Sequence, residues 1–331
     1  VEHRTLGRTG RTVSVIGLGT WQLGADWGDV SESDARAVLD ASRQAGVTFF
    51  DTADVYGDGR SESIVGAWRA GLSDAERAAI TVATKMGRRA PLLPENYTAE
   101  NFRAWTDRSR ANLRMDTLDL VQLHCPPSAV YRSDAVYDAL DDLVDSGAIA
   151  AYGVSVETAD EALTAIARPH VATVQIILNA FRLKPLDAVL PAARDAGVGI
   201  IARVPLASGL LTGRYRHDTA FAPDDHRTYN RTGEAFDRGE TFSGVDFDEG
   251  VEAAQEFSAL AEGAGLPPAQ AALAWVAQLP GVSTVIPGAR NPAQAEANAA
   301  AGSVAPLGDA FTASVRELYD RRFRAAIHGS W

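Results

Sequence analysis

Four times in this chain a helix-patterned stretch stops at a glycine and an apolar run begins at once. The glycines are Gly46, Gly147, Gly197 and Gly281, and the runs are 47–50, 149–154, 198–202 and 282–286. A glycine just past a helix accepts the left-handed backbone that stops it. A short apolar run bounded in this way reads as a buried strand. The same alternation holds between these landmarks. Ser31 caps a helix whose Ala35, Val38, Leu39 and Ser42 share one face. Helices over 61–70, 98–113, 134–146, 159–167 and 186–196 lead to strands over 80–84, 118–123, 149–154, 172–177 and 198–202. Helices near 249–262 and 268–278 precede strand 282–286, and helix 291–301 closes the series. With a first strand at 15–19, this makes about eight strand–helix units. Strict alternation demands a parallel sheet, and eight units predict a closed (β/α)8 TIM barrel, which needs roughly 250 residues. A doubly wound open sheet is the competing topology.

The 331 residues accommodate one such barrel with additions, so a single domain over 1–331 is expected. Residues 3–14, with Leu6-Gly7-Arg8-Thr9-Gly10 at their turn, read as a hairpin ahead of the barrel. Residues 309–323 read as an added helix. The segment 204–248 has little apolar periodicity, and a loop that long points to an active-site lid. The net charge of −12 argues against nucleic acid or an anionic membrane surface as partner. Cys125 is the one cysteine, so no intrachain disulfide forms. No apolar run approaches the ~20 residues of a membrane span, and no signal-peptide core opens the chain. A cytoplasmic location is expected.

Chemistry collects where the strands end. Asp51 follows 47–50, with Tyr56 five residues on; Lys85 follows 80–84, His124 follows 118–123 and Ser155 follows 149–154. Gln175 lies within the next strand and Arg203 follows 198–202. In a (β/α)8 barrel these positions share the C-terminal rim, where active sites are built. Taken singly, each has a plain reading: a solvated lysine, a structural histidine, an aspartate at a turn. Together they suit proton transfer to a carbonyl oxygen. A tyrosine near pKa ~10 is a poor acid, a lysine ammonium draws that pKa down, and an aspartate orients the lysine. None of the four supplies a hydride, so a cofactor must. Cys125, followed by Pro126-Pro127, is read as packing. Dinucleotide-type G-x-G-x-x-G, P-loop, H-E-x-x-H and paired C-x-x-C patterns are absent, and no metal site is expected.

At this point the chain resembles the aldo-keto reductase superfamily over nearly its whole length. The matches, in order, are Gly19-Thr20-Trp21, Asp51-Thr52-Ala53-Asp54-Val55-Tyr56-Gly57, Ala83-Thr84-Lys85, Leu123-His124 and Tyr152-Gly153-Val154-Ser155. Gln175, Pro205-Leu206-Ala207-Ser208-Gly209-Leu210-Leu211-Thr212-Gly213 and Ile286-Pro287-Gly288-Ala289-Arg290-Asn291 follow. The pattern is most similar to bacterial and potassium-channel-β-like members. The resemblance implies a barrel that binds NADPH on its C-terminal face and reduces aldehydes or ketones. It implies a tetrad of Asp51, Tyr56, Lys85 and His124, with Tyr56 as proton donor. It places Thr20, Trp21 and Asp51 near the nicotinamide half, and Ser155 and Gln175 on the carboxamide. Leu206, Ser208, Leu210 and Arg214 would line the pyrophosphate, and Gly288, Arg290, Gln294 and Asn298 the adenosine end. Arg290 just before a helix suits the 2′-phosphate of NADPH, because arginine and a helix N-terminus both favour a phosphate.

Two positions depart from the family pattern. Val156 stands where many members have asparagine beside the serine, and Arg203 stands where many stack a tyrosine on the nicotinamide. Arg203 would stack through its guanidinium or reach the phosphates. Trp21, Trp27, Tyr56, Met86 and His124 are the expected pocket wall for a small carbonyl substrate. The rival reading is an NADPH-binding sensor or regulatory subunit with little turnover. A weaker one is a barrel hydrolase that uses Asp51 and Asp54 as a carboxylate pair, a pair close in sequence for residues that must flank a substrate.

Overall fold

The computed structural model describes residues 1–24 and 30–331. It opens with β1 (His3–Thr5) and β2 (Thr12–Ser14), an antiparallel hairpin in which His3 pairs with Ser14. The alternating series then runs β3 (Leu18–Gly19), α1 (Glu32–Gln44), β4 (Phe49–Asp51), α2 (Arg60–Ala70), α3 (Asp74–Ala79), β5 (Thr81–Met86) and α4 (Ala99–Leu113). It continues through β6 (Leu120–His124), α5 (Asp134–Asp145), β7 (Tyr152–Ser155), α6 (Ala159–Ile166), β8 (Thr173–Ile177), α7 (Val189–Ala196) and β9 (Gly199–Arg203). After the long connection, which holds α8 (His226–Tyr229), come α9 (Phe247–Gly263), α10 (Pro268–Gln278), β10 (Val282–Val285), α11 (Pro292–Ala300), α12 (Gly308–Arg322) and α13 (Arg324–Ile327).

Strands β3 to β10 pair in parallel in sequence order. The two ends of that sheet meet through parallel bridges Ile16–Val285 and Gly19–Gly288, so the sheet closes on itself. The closed (β/α)8 barrel is therefore the topology, and the open sheet is not. The short β3 has a simple cause: residues 15–17 exchange single hydrogen bonds with Val285 rather than a full ladder.

The hairpin stoppers the N-terminal end of the barrel. Leu6 and Val13 are wholly buried and pack with Phe49, Ala83, Leu120, Ile201 and Ile286. The turn comes so near the strands that only glycine fits at position 7. A Cβ on Gly7, at φ +49°, would lie 2.1 Å from the Ala172 carbonyl oxygen. Burial of this kind contributes about 25 cal/mol per Å2 of apolar surface.

Most helix limits fall within one to three residues of the expected ones, which is ordinary fraying. Ser31 caps α1 by accepting from the Asp34 amide, as its sequence position predicts. Short α3, entered through a Ser73/Glu76 capping box, was not anticipated, because six residues carry too little periodicity. The segment 204–248 is not plain loop. It holds α8 and 3-10 turns at Ala207–Thr212, Arg238–Glu240 and Phe242–Gly244. Among the described residues no helix is long and apolar enough to cross a membrane.

Candidate active site

Four side chains converge at the C-terminal rim. Asp51 ends β4, Lys85 lies in β5, His124 ends β6, and Tyr56 opens the 3-10 turn Tyr56–Gly59 that leaves β4. Strand alternation points Lys85 inward and its neighbour Met86 outward. The turn depends on glycine: Gly57 sits at φ +57°, and a Cβ there would lie 2.0 Å from the Gly24 carbonyl oxygen.

Lys85 is the hub. Its Nζ pairs with Asp51 Oδ2, donates to the Thr52 carbonyl at 2.9 Å and donates to the Tyr56 hydroxyl at 3.2 Å. The other oxygen of Asp51 accepts from Gln122 at 3.1 Å and from Gln175 at 2.9 Å. A buried ion pair holds its geometry only when the remaining lone pairs are satisfied, and the two glutamines do that here. Trp21 stacks near Tyr56, with centroids 6.1 Å apart, and His124 meets it edge-on at 5.9 Å. His124 Nδ1 is buried with no hydrogen-bond partner among the described residues.

Burial dominates the titration of these groups. Desolvation pushes the Tyr56 phenol above its ordinary value, with Lys85 the strongest opposing influence. The direction is opposite to the sequence expectation, which weighed the lysine and not the burial. Desolvation opposes charge on Lys85, yet Asp51 and Tyr56 outweigh it, so its pKa is raised and the ammonium is secure. Burial, with Arg88, Lys85 and Arg203 nearby, holds His124 well below its usual value, so the imidazole is neutral. The result is a protonated phenol fixed by an ammonium, beside a neutral imidazole.

These groups open onto a cavity of about 1340 Å3. Of the expected residues, Thr20, Trp21, Asp51, Tyr56, His124, Gln175, Arg203, Leu206, Ser208, Arg214, Gly288, Arg290, Gln294 and Asn298 all line it. Four do not. Lys85 acts from beneath Tyr56. Met86 points into the core behind β5, where its sulfur accepts from Thr106 Oγ1, so it is not a pocket wall. Ser155 is buried and its hydroxyl accepts from the Cys125 thiol at 3.3 Å. Leu210 is wholly buried, packed within the core of the barrel's outer layer. Trp27 lies outside the described residues. Asp54 is buried away from the cavity, and among the described residues neither of its carboxylate oxygens has a hydrogen-bond partner, so the Asp51–Asp54 hydrolase pair has no geometry to support it.

Arg203 neither lies free nor reaches along the cavity. Its guanidinium bridges Glu157 at 3.0 Å and Glu240 at 2.6 Å and donates to the Val156 carbonyl at 3.0 Å. Arg88 shares Glu157 at 3.2 Å. Cys125 Sγ and carboxylate oxygens of Glu157 and Glu240 lie within 4.8 Å of one another, a metal-like spacing, but Arg203 already supplies the cation. Burial pushes the Cys125 thiol up to about 12, which agrees with packing and not nucleophilic attack. At the far end, Asn291 caps α11, Gln294 accepts from the Arg290 amide at 2.8 Å and Asn298 donates to the Gly288 carbonyl at 3.0 Å. Arg290 faces Asp225 at 3.9 Å, and Asp225 also pairs with Arg227.

Gln122, Arg88, Glu157, Glu240 and Asp225 were missed at the sequence level. Arg88 and Glu157 stand two residues past the ends of β5 and β7, so the strand-tip rule extended by one turn finds them. Gln122 is a lone amide in an apolar strand, itself a signal of an inward polar contact. Glu240 and Asp225 carry no such signal.

Comparison with known proteins identifies the family. The family model described as "Aldo/keto reductase family" matches residues 15–320. An uncharacterized oxidoreductase of Mycobacterium tuberculosis is 34% identical over 317 residues, covering 92% of this chain and 90% of the relative. A probable voltage-gated potassium channel subunit beta of Oryza sativa is 31% identical, covering 93% of each. Among solved structures, a glycerol dehydrogenase of Gluconobacter oxydans superposes with TM-score 0.76 at 27% identity, over 97% of this chain and 96% of the other. The chain belongs to the aldo/keto reductase family of oxidoreductases.

Proposed function

We propose that the protein reduces the carbonyl group of small aldehydes or ketones with NADPH as hydride donor, and that Tyr56 is the general acid. The observation that carries this is the relay Asp51–Lys85–Tyr56, which ends on a phenol at the cavity floor. The residues fit a dinucleotide. The cavity exceeds the roughly 300–1,000 Å3 of ordinary ligand pockets. Its far end offers Arg290 and the capped N-terminus of α11, a donor set suited to a phosphate. When bound, NADPH supplies the hydride that no side chain can.

The chain's residues do the rest. Tyr56 donates its hydroxyl proton to the carbonyl oxygen as negative charge develops there. Lys85 holds the phenol oxygen and stabilises the phenolate left behind. Asp51, fixed by Gln122 and Gln175, keeps Lys85 in place. Neutral His124 hydrogen-bonds the same carbonyl oxygen and sets its direction. Trp21 and Phe236 wall off water at the substrate end. Arg290 and Arg214 would hold the cofactor's phosphates, and Arg203 would lie beside its nicotinamide half.

The test is loss of absorbance at 340 nm with NADPH and with NADH across a panel of aldehydes and ketones. Steady consumption of NADPH upholds the reading. A second reading is a cofactor-holding regulatory subunit, favoured by the likeness to the plant channel subunit. It predicts tight NADPH binding and no turnover with any carbonyl.

A further inference from the structure

The stretch 236–244 makes a wall of the cavity with one side and is gripped from behind on the other. Toward the cavity, Phe236 packs edge-on against Trp21 at 5.9 Å and Glu240 pairs with Arg203. Behind it lies Trp331, buried although it is far away in sequence. The Trp331 indole Nε1 donates to Asp237 Oδ1 at 3.1 Å. The Arg182 guanidinium lies 4.0 Å from the indole centroid and that of Arg238 lies at 5.0 Å. Arg182 is itself 2% exposed and donates to the Glu157 carbonyl at 2.8 Å, and Glu157 is the other partner of Arg203. Trp331 is thus one contact from the cavity through Asp237 and two through Arg182 and Glu157, yet it does not line the cavity.

The backbone of this stretch needs such a grip. Phe242, Ser243 and Gly244 are left-handed in succession, at φ +52°, +60° and +76°. Non-glycine residues stay in that region only where their surroundings over-determine them. Three contacts do so. Asn179 donates to Ser243 Oγ at 2.7 Å, and Ser208 Oγ accepts from the Phe242 amide at 3.0 Å. The third is Trp331, laid so close on Gly244 that a Cβ there would fall 2.2 Å from the ring.

We propose that Trp331 is a positioning residue for the substrate side of the cavity. With Arg182 it clasps 236–244 from behind, so that Phe236 and Glu240 keep their places against Trp21 and Arg203. The kinetic consequence rests on the reductase reading above; the clasp itself does not. Loosening the clasp widens the substrate end and leaves the Tyr56 relay intact. Cation–π and indole N–H contacts of this sort are directional, so phenylalanine replaces the stacking but not the bond to Asp237.

The test compares the full-length protein with Trp331→Ala and Trp331→Phe, by amide hydrogen exchange and by steady-state kinetics on an aldehyde that the parent reduces. In Trp331→Ala, exchange in 236–244 should quicken about tenfold while β4–β6 keep their protection. KM for the aldehyde should rise about fivefold with kcat within roughly twofold, since ground-state and transition-state binding fall together. Trp331→Phe should recover most of both. Unchanged exchange in 236–244, or faster exchange spread over the whole barrel, overturns the clasp. A fall in kcat at unchanged KM overturns it too. If the parent reduces no carbonyl, the reductase reading fails and exchange alone decides: quickening confined to 236–244 supports the clasp, and any other pattern sinks it.

Discussion

The rim formed by β4, β5 and β6 and the segment 204–248 face each other across one cavity and are built on opposite plans. On the rim, the polar groups that meet come from different strands and join across the barrel interior. Lys85 reaches Asp51, and Asp51 reaches Gln122 and Gln175. The backbone there is ordinary parallel sheet. Across the cavity there is no ladder. Val204, Ala207, Ser208, Phe242 and Ser243 are all left-handed, and the segment is held by Glu240 to Arg203, Asn179 to Ser243, and Trp331 to Asp237. The contrast separates two tasks. Proton transfer needs groups fixed within fractions of an ångström, and strands provide that. Admitting and covering a ligand needs a part that opens at low cost, and such parts have few ladders to break.

The largest test of the rim is Lys85→Met. Reduction should slow by about 10^2–10^4-fold, the usual range for a positioned proton donor and its partners. The residual activity should also hold to higher pH than in the parent, because the strongest influence drawing the Tyr56 pKa down is gone. A pH–rate profile reads both. The parent itself should show no acid limb near the usual histidine value, since His124 is neutral well below it.

The counterpart across the cavity is Arg203→Leu. It strands Glu157 and Glu240 as buried carboxylates without their shared cation. The expected loss is roughly 3–5 kcal/mol of stability at neutral pH, read by denaturant unfolding. The deficit should shrink as pH falls toward 4, where both acids take up protons. A loss that persists unchanged in acid would mean that packing, not charge, holds the segment.

Asp54→Asn sharpens the picture of the rim. Burial, then Glu62, pushes the Asp54 carboxyl up to about 7, against partial relief from Arg89, Arg108 and Lys85. Its folded-state pKa is therefore above the unfolded value. The folded state holds a proton that the unfolded state releases, so stability falls as pH rises from about 4 to about 7. The full gap is worth up to roughly 4 kcal/mol. The asparagine variant should be flatter over that window and more stable than the parent at pH 8 in thermal melts. Parallel stability curves for the two proteins would contradict it.

Arg290→Ala should have the smallest effect of the series. Loss of a charge-assisted hydrogen bond of about 1.5–3 kcal/mol predicts NADPH binding weaker by about tenfold or more, with NADH affinity nearly unchanged. Equal losses for both cofactors would remove Arg290 from the phosphate site.

Legibility followed the same division. The barrel could be read because the strand–helix unit is a local signal that repeats about eight times, and the tetrad because Asp51, Lys85 and His124 stand at the ends of successive strands. Lys85 and Met86 show the limit: adjacent in sequence, they face opposite sides of β5, and reading Met86 as pocket wall ignored that alternation. Ser155 and Leu210 came from the family pattern, but one is tied to Cys125 and the other is core. Tyr56 shows a different limit, since the degree of burial is not written in neighbouring residues. The pairs that hold 204–248 join residues tens of positions apart with no periodicity, so nothing local announced Glu240, Asp225 or the role of Trp331.

The most direct measurement is a single-turnover comparison of the parent with Tyr56→Phe, with NADPH affinity measured in parallel. Loss of hydride transfer by about 10^2–10^4-fold at unchanged NADPH affinity is the predicted result. Near-parental transfer by the phenylalanine protein would contradict the account, because the proton would then come from a group other than the one the Asp51–Lys85 relay holds.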